Sequence, residues 1–213
     1  QYRQRVIQLG ESPNLVFHVG GIGIDNIHKL KLLDREELEA SLNFKLGLKN
    51  LLITFHPVTL EKNMLIHQMK ELLLVLKELK DVSLIFTMPN ADPDGRILFE
   101  MIEEFVAKRP KSKSFISLGQ LRYLSCIKHF DGVVGNSSSG IVEAPSFKKG
   151  TINIGDRQRG RLKAESIIDC EPSSSGIREA FKKLFSANFQ KHLQKITNPY
   201  GKGGSSEKIL NIL

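Results

Sequence analysis

Tryptophan is absent from this chain of 213 residues, and phenylalanine and tyrosine bring its aromatic content to only 7%. Nucleic-acid bases are commonly held by stacking on aromatic faces, so that platform is missing. The net charge of +8 suits an anionic partner, but it is spread over helix candidates with intervening acids, and nucleic acid is not expected as a partner. Cysteine is scarcer still. Cys126 and Cys170 lie far apart, and neither a disulfide framework nor a zinc site is indicated. The six histidines are scattered, and neither a structural metal nor a cofactor is expected. No apolar run approaches membrane-spanning length, and no signal-peptide pattern opens the chain, so the expectation is a soluble, cytoplasmic protein with no membrane partner. Repeats and low-complexity tracts are lacking too. An initiator methionine is missing: basic Tyr2-Arg3-Gln4-Arg5 leads directly into Val6-Ile7-Gln8-Leu9, which reads as the middle of a longer chain.

What is present is an ordinary globular composition, 40% hydrophobic and 25% charged, on a chain long enough for one well-buried α/β domain or one domain with pieces of another. From Lys49 onward, short apolar runs alternate with longer amphipathic ones, the pattern of βαβ units. Strands are expected at 51–55, 82–87, 114–118, 132–134 and 151–154, with Ile167 and Ile168 contributing a sixth. Helices are expected at 62–80, 96–108, 120–129, 139–148 and 177–189, with a loop over 89–95. The fold class this predicts is α/β, a Rossmann-like parallel sheet with helices on both faces and ligands at the carboxyl ends of the strands. Ahead of it lie a strand-like segment at 15–19, a glycine turn at 20–23 and an acid-led helix at 34–44. Behind it, a glycine-rich connection over 198–204 leads to a last helix at 205–213.

The most informative segment is Gly135-Asn136-Ser137-Ser138-Ser139-Gly140, between a strand candidate and a helix candidate carrying Glu143. Small residues let the backbone approach a ligand, free N–H groups at a helix start favour a phosphate, and three hydroxyls add donors. Glu143, one to two turns on, is placed to accept from a sugar hydroxyl. The other reading is a serine-rich capping turn. His56 directly follows a buried strand, with Pro57 pinning the turn, and is placed either to donate to a phosphate oxygen or merely to cap the loop. Arg157 follows the strand at 151–154 and suits phosphate recognition, or is an exposed loop charge. Together, three strand ends would project His56, the serines and Arg157 from one sheet edge, which favours a nucleoside diphosphate over a bare sugar. Two tempting motifs fail: Gly21-Ile22-Gly23 lacks the third glycine of a dinucleotide fingerprint because position 26 is Asn26, and the serine run lacks the glycine of a hydrolase nucleophile elbow because Ser139 stands there.

In order and at sensible spacing, Thr54-Phe55-His56-Pro57-Val58-Thr59, Gly135-Asn136-Ser137-Ser138-Ser139-Gly140-Ile141-Val142-Glu143, Asn153-Ile154-Gly155-Asp156-Arg157-Gln158-Arg159-Gly160-Arg161 and Asn198-Pro199-Tyr200-Gly201 resemble the hydrolysing UDP-N-acetylglucosamine 2-epimerases, in particular the sialic-acid-pathway branch that makes free N-acetylmannosamine. The resemblance runs from about Arg5 to the end and implies the carboxyl-terminal domain of a two-domain glycosyltransferase-B-like fold. Residues 1–43 would then be a remnant of the amino-terminal domain and linker, 44–197 the UDP-binding domain, and 198–213 a connection and helix returning to the other domain. The implied reaction is elimination of UDP from UDP-N-acetylglucosamine to a glycal, then hydration to N-acetylmannosamine with inversion at C2. By matching position, Ser137 and Ser138 would hold the diphosphate, Glu143 the ribose hydroxyls, His56 and Arg157 the phosphate region, and Tyr123 would lie near the uracil. His56 is the one catalytic candidate here. The proton-moving carboxylates of the family belong to its first domain, so the chain by itself is expected to be inactive. The intact enzyme is expected to be a homodimer. Lys202 departs from the family, which often has an acid there. A UDP-sugar glycosyltransferase donor domain is the alternative with the same architecture.

Overall fold

The computed structural model describes residues 1–57, 62–89 and 93–213. The chain divides into two compact units, one formed by Gln1–Lys29 with Tyr200–Leu213 and the other by Leu30–Pro199. The smaller unit opens with helices α1 (Tyr2–Gln8) and α2 (Ile22–Lys29), neither of which the sequence pattern announced. The strand expected at 15–19 does not form. Leu15 and Phe17 are exposed there, and the Arg3 guanidinium takes the carbonyls of Pro13 at 2.6 Å and Val16 at 2.8 Å, groups a strand would have offered to a neighbour.

The larger unit begins at Leu30. Helix α3 (Arg35–Leu42) belongs to it because Leu38 and Leu42 are buried and Lys113 donates to the Leu42 carbonyl at 2.8 Å. A capping box starts α3: the Asp34 carboxylate accepts from the Glu37 amide and the Glu37 carboxylate from the Asp34 amide, each at 2.9 Å. Asn43, in the left-handed region at φ 45°, ends it.

Six parallel strands follow: β1 (Lys49–Thr54), β2 (Val82–Thr87), β3 (Ser112–Phe115), β4 (Gly132–Gly135), β5 (Gly150–Ile154) and β6 (Ile167–Cys170). The connections from β1 through β5 carry α4 (Lys62–Glu78), α5 (Pro93–Ala107), α6 (Gly119–His129) and α7 (Ser138–Val142), and α8 (Ser174–Leu184) and α9 (Ala187–Leu193) follow β6. Three helix expectations need correction. Helix α5 starts at Pro93, inside the expected loop, whose residues 90–92 lie outside the described residues, as do Val58 and Thr59 of the motif after β1. The helix expected at 139–148 is α7 followed by a 3-10 turn at Ala144–Phe147, because Pro145 lacks the N–H to continue α7. The helix expected at 177–189 is two, since Ser186 caps α9 by accepting from the Phe189 amide at 3.3 Å.

Alternation along the strands builds two layers on the sheet. Leu51, Ile53 and Phe55 point into one core with Met69, Leu72 and Leu76 of α4, Phe86 of β2, and Ile177, Phe181 and Leu184 of α8. The other face, with buried Leu52, Ile85 and Val133, is covered by α6, which buries Leu124, Ile127 and α6-flanking Phe130. The strand order is β3-β2-β1-β4-β5-β6. It reverses between β1 and β4, and such a switch point opens a crevice at the carboxyl ends of the strands. The register places Thr87, Thr54, Gly135 and Asn153 in one row across β2, β1, β4 and β5, so the residues after each emerge along a common edge.

In the smaller unit, α10 (Ser205–Leu210) is held by buried Asp25, whose carboxylate accepts from the Ser205 amide at 3.0 Å, the Ser206 amide at 2.8 Å and the Ser206 hydroxyl at 2.5 Å. The Ser206 hydroxyl foremost, then the two amides, lower its pKa from 3.8 to about 2. A carboxyl depressed in the fold contributes stability above its ordinary pKa and loses it as pH falls through the lowered one. Asp25→Asn is therefore expected to remove an acid-dependent part of the protection of the Ser205 and Ser206 amides between pH 3.8 and about 2. Amide hydrogen exchange reads this directly, and identical pH profiles in variant and wild type would overturn it.

Candidate functional site

At the switch point the two central strands come closer than side chains permit. Gly135 has φ 132°, and a Cβ there would stand 2.0 Å from the Thr54 carbonyl oxygen, so only glycine fits. Beyond this contact the Asn136 amide N–H donates to the Thr54 carbonyl at 3.2 Å. The Asn136 side chain, 1% exposed, accepts from the His56 amide at 2.7 Å and donates to the His56 carbonyl at 2.9 Å. Ser137 caps α7 by accepting from the Ser139 amide at 3.4 Å. With only five residues in α7, the donors for an anion are local N–H and hydroxyl groups rather than a long helix dipole. The Ser139 hydroxyl donates to the Glu143 carboxylate one turn on. Thr151 of β5 anchors α7 from below by donating to the Gly140 carbonyl at 2.8 Å.

A cavity of about 400 Å³ opens here, within the range of small-ligand sites. Its described lining includes Thr54, His56, Tyr123, Ser137, Ser139 and Glu143, so four of the six residues singled out by sequence, His56, Tyr123, Ser137 and Glu143, meet in one wall. Ser138 and Arg157 do not line it. Ser138 is the first residue of α7, and Arg157 donates to the Asn136 carbonyl at 3.0 Å, behind the serine run. A larger cavity, about 500 Å³ beside Leu73, Met101 and Phe105, lies near the opposite strand ends, where Arg109 donates to the carbonyl of Val82 at the start of β2. That edge is not where α/β sheets bind ligands.

Burial sets the electrostatics of the smaller cavity. It raises the Glu143 carboxyl above its ordinary value, with the Ser139 hydroxyl pulling the other way. It also raises the Tyr123 hydroxyl, which is buried near Ser139, Thr54 and Ser137 without a well-aligned hydrogen bond to any of them. Arg157 is an exposed residue whose guanidinium is partly desolvated, which lowers it, with Arg161 secondary, yet it stays charged at any physiological pH. Thr54 and Thr87 join across the cavity floor, hydroxyl to hydroxyl at 2.6 Å.

Sequence reasoning missed Asn136, Gln158, Thr54 and Thr87. Gln158, 1% exposed, donates to the Asn136 carbonyl at 2.7 Å beside Arg157. Only the side-by-side pairing of β2, β1, β4 and β5 brings these residues together, and no local pattern announces it. Among the described residues no three histidine, cysteine, aspartate or glutamate side chains gather as metal ligands, and no helix is long and apolar enough to cross a membrane. The Cys126 and Cys170 thiols are unbonded, and burial pushes both up to about 12.

Comparison with known proteins is consistent across the chain. A Campylobacter jejuni protein named GDP/UDP-N,N'-diacetylbacillosamine 2-epimerase (hydrolyzing) is 42% identical over 192 residues, which are 90% of this chain and 50% of that protein. The Escherichia coli polysialic acid biosynthesis protein P7 is 37% identical over 214 residues, covering 100% of this chain and 54% of that protein. The chain thus spans about half the length of the curated relatives it matches. The crystal structure of UDP-GlcNAc 2-epimerase from Neisseria meningitidis bound to UDP-GlcNAc superposes with a TM-score of 0.73 at 18% identity, over 98% of this chain and 57% of that one, a likeness of fold. The family profile described as UDP-N-acetylglucosamine 2-epimerase matches residues 1–213 throughout, and on that full-length match the chain belongs to the UDP-N-acetylglucosamine 2-epimerase family.

Proposed function

We propose that this chain is the UDP-holding, carboxyl-terminal half of a hydrolysing UDP-N-acetylglucosamine 2-epimerase. The observation that carries the reading is the meeting of His56, Ser137 and Glu143 in one cavity at the switch point of the sheet. In this reading Ser137 and Ser138 hold the diphosphate, and half-buried Glu143 exchanges its Ser139 partner for ribose hydroxyls. Tyr123 lies on the uracil side, and Arg157 supplies positive charge from behind the serine run. His56 donates to the departing phosphate oxygen as the C1–O bond breaks. The C2 proton leaves in the same elimination, giving a glycal and UDP, and water then adds across the double bond to release N-acetylmannosamine. The groups that take and return that proton are assigned to the other half of the full-length enzyme, a cytoplasmic homodimer. General acid and base catalysis is worth ~10² to 10⁴ in rate, so the half alone is inactive.

The test is calorimetry of UDP with the full-length protein, joined to product analysis from UDP-N-acetylglucosamine. Binding and free N-acetylmannosamine are the expected results. Absence of UDP binding overturns the reading, and an acceptor-dependent glycoside would make the protein a glycosyltransferase instead. The name of the Campylobacter jejuni relative favours a second substrate, a nucleotide-linked diacetylated sugar. Comparing kcat/KM for that sugar and for UDP-N-acetylglucosamine decides between the two.

A further inference from the structure

Three strand ends meet at one residue to which the proposed chemistry gives no role. Asn136 follows β4, and its side-chain amide pairs with the backbone of His56, after β1, in both directions, at 2.7 and 2.9 Å. With the Asn136 N–H on the Thr54 carbonyl, this continues the β1–β4 ladder past Gly135, using a side chain where the chain has already turned away. The carbonyl of the same residue accepts from the Arg157 guanidinium at 3.0 Å and the Gln158 amide at 2.7 Å, both from the loop after β5. Asn136 is 1% exposed, so its own polar groups are satisfied by these bonds rather than by solvent. The carbonyl has two lone pairs and two donors, so its capacity is filled.

We propose that Asn136 is the positioning residue of the site, its side chain fixing His56 and its carbonyl fixing Arg157 on the two flanks of the serine run. The inference rests on the UDP reading given above. Its two halves separate experimentally, because a substitution removes the side chain and leaves the carbonyl. Serine is too short to span to both His56 groups. Aspartate keeps the acceptor for the His56 amide but sets a carboxylate against the His56 carbonyl, and serves as the second variant should Asn136→Ser fold poorly.

The experiment is UDP calorimetry on the full-length protein in two double-mutant cycles, Asn136→Ser with His56→Ala and Asn136→Ser with Arg157→Ala. In the wild-type background His56→Ala is expected to weaken UDP about 10-fold, the size of a hydrogen bond to a charged group. In the Asn136→Ser background the same change is expected to cost less than about 2-fold, because the imidazole has already lost its placement. Arg157→Ala is expected to cost the same in both backgrounds. A residue that merely stabilises the fold would lower the melting temperature yet leave both penalties unchanged, or shrink both alike. Either result overturns the proposal. A wild-type protein that gives no heat with UDP overturns the functional reading along with it, whereas UDP binding with an unaltered His56 penalty overturns this inference alone.

Discussion

Gly135→Ala is expected to lower folding stability by about 4 kcal/mol, a large share of the ~5 to 15 kcal/mol typical of a domain. Two costs add. The backbone sits at φ 132°, where a side chain is strained by about 1–3 kcal/mol. The new Cβ would also meet the Thr54 carbonyl oxygen at 2.0 Å and its carbon at 2.7 Å, an overlap relieved only by parting β1 from β4. Gly155 is the control: it also has positive φ, 71°, but nothing lies within 4 Å of its would-be Cβ, so Gly155→Ala is expected to cost only about 1 kcal/mol. Urea unfolding midpoints measure both. A Gly135→Ala protein within 1 kcal/mol of the Gly155→Ala protein would mean that the approach of β1 to β4 is not rigid.

Glu143→Gln is expected to move stability and binding in opposite directions. Burial raises the Glu143 carboxyl above its ordinary 4.5, against the smaller pull of Ser139. A carboxyl raised in the fold gives up stability as pH climbs from the unfolded value through the raised one, so at neutral pH the ionised side chain weighs against folding. Glutamine keeps the shape and still accepts from the Ser139 hydroxyl without the half-buried charge. The variant should therefore melt higher than wild type at pH 7, with the gap closing as pH drops below 4.5. UDP affinity should fall roughly 10- to 100-fold, the loss of about 1.5–3 kcal/mol when charged hydrogen bonds to the ribose become neutral ones. A variant that melts at or below wild type at pH 7, or that binds UDP undiminished, contradicts this account.

Much of the sheet was legible because its strands are short apolar runs bounded by turn residues, and a run such as 82–87 leaves no competing pattern. The smaller unit was not. Its Leu15 and Phe17 carry the composition of a strand, but a strand exists only if another pairs with it, and composition is silent on pairing. Helix α7 was misjudged in length because periodicity continues through Ala144 and Phe147 while Pro145 interrupts the hydrogen bonds. In the site, His56, Ser137, Glu143 and Tyr123 could be found from strand ends, a small-residue run and family motifs. Asn136 sat in the open, quoted among those motifs, but its partner is eighty residues away and its meaning lies wholly in that partner.

That separation also governs how the site comes into being. Helices α4, α5 and α6 and strands β2 and β3 all intervene between His56 and Asn136, and the chain entropy of closing this long loop must be met before the first ligand-facing pair exists. In the proposed UDP reading, the site exists only where β1 and β4 are paired, and parting that seam separates His56 from the serine run.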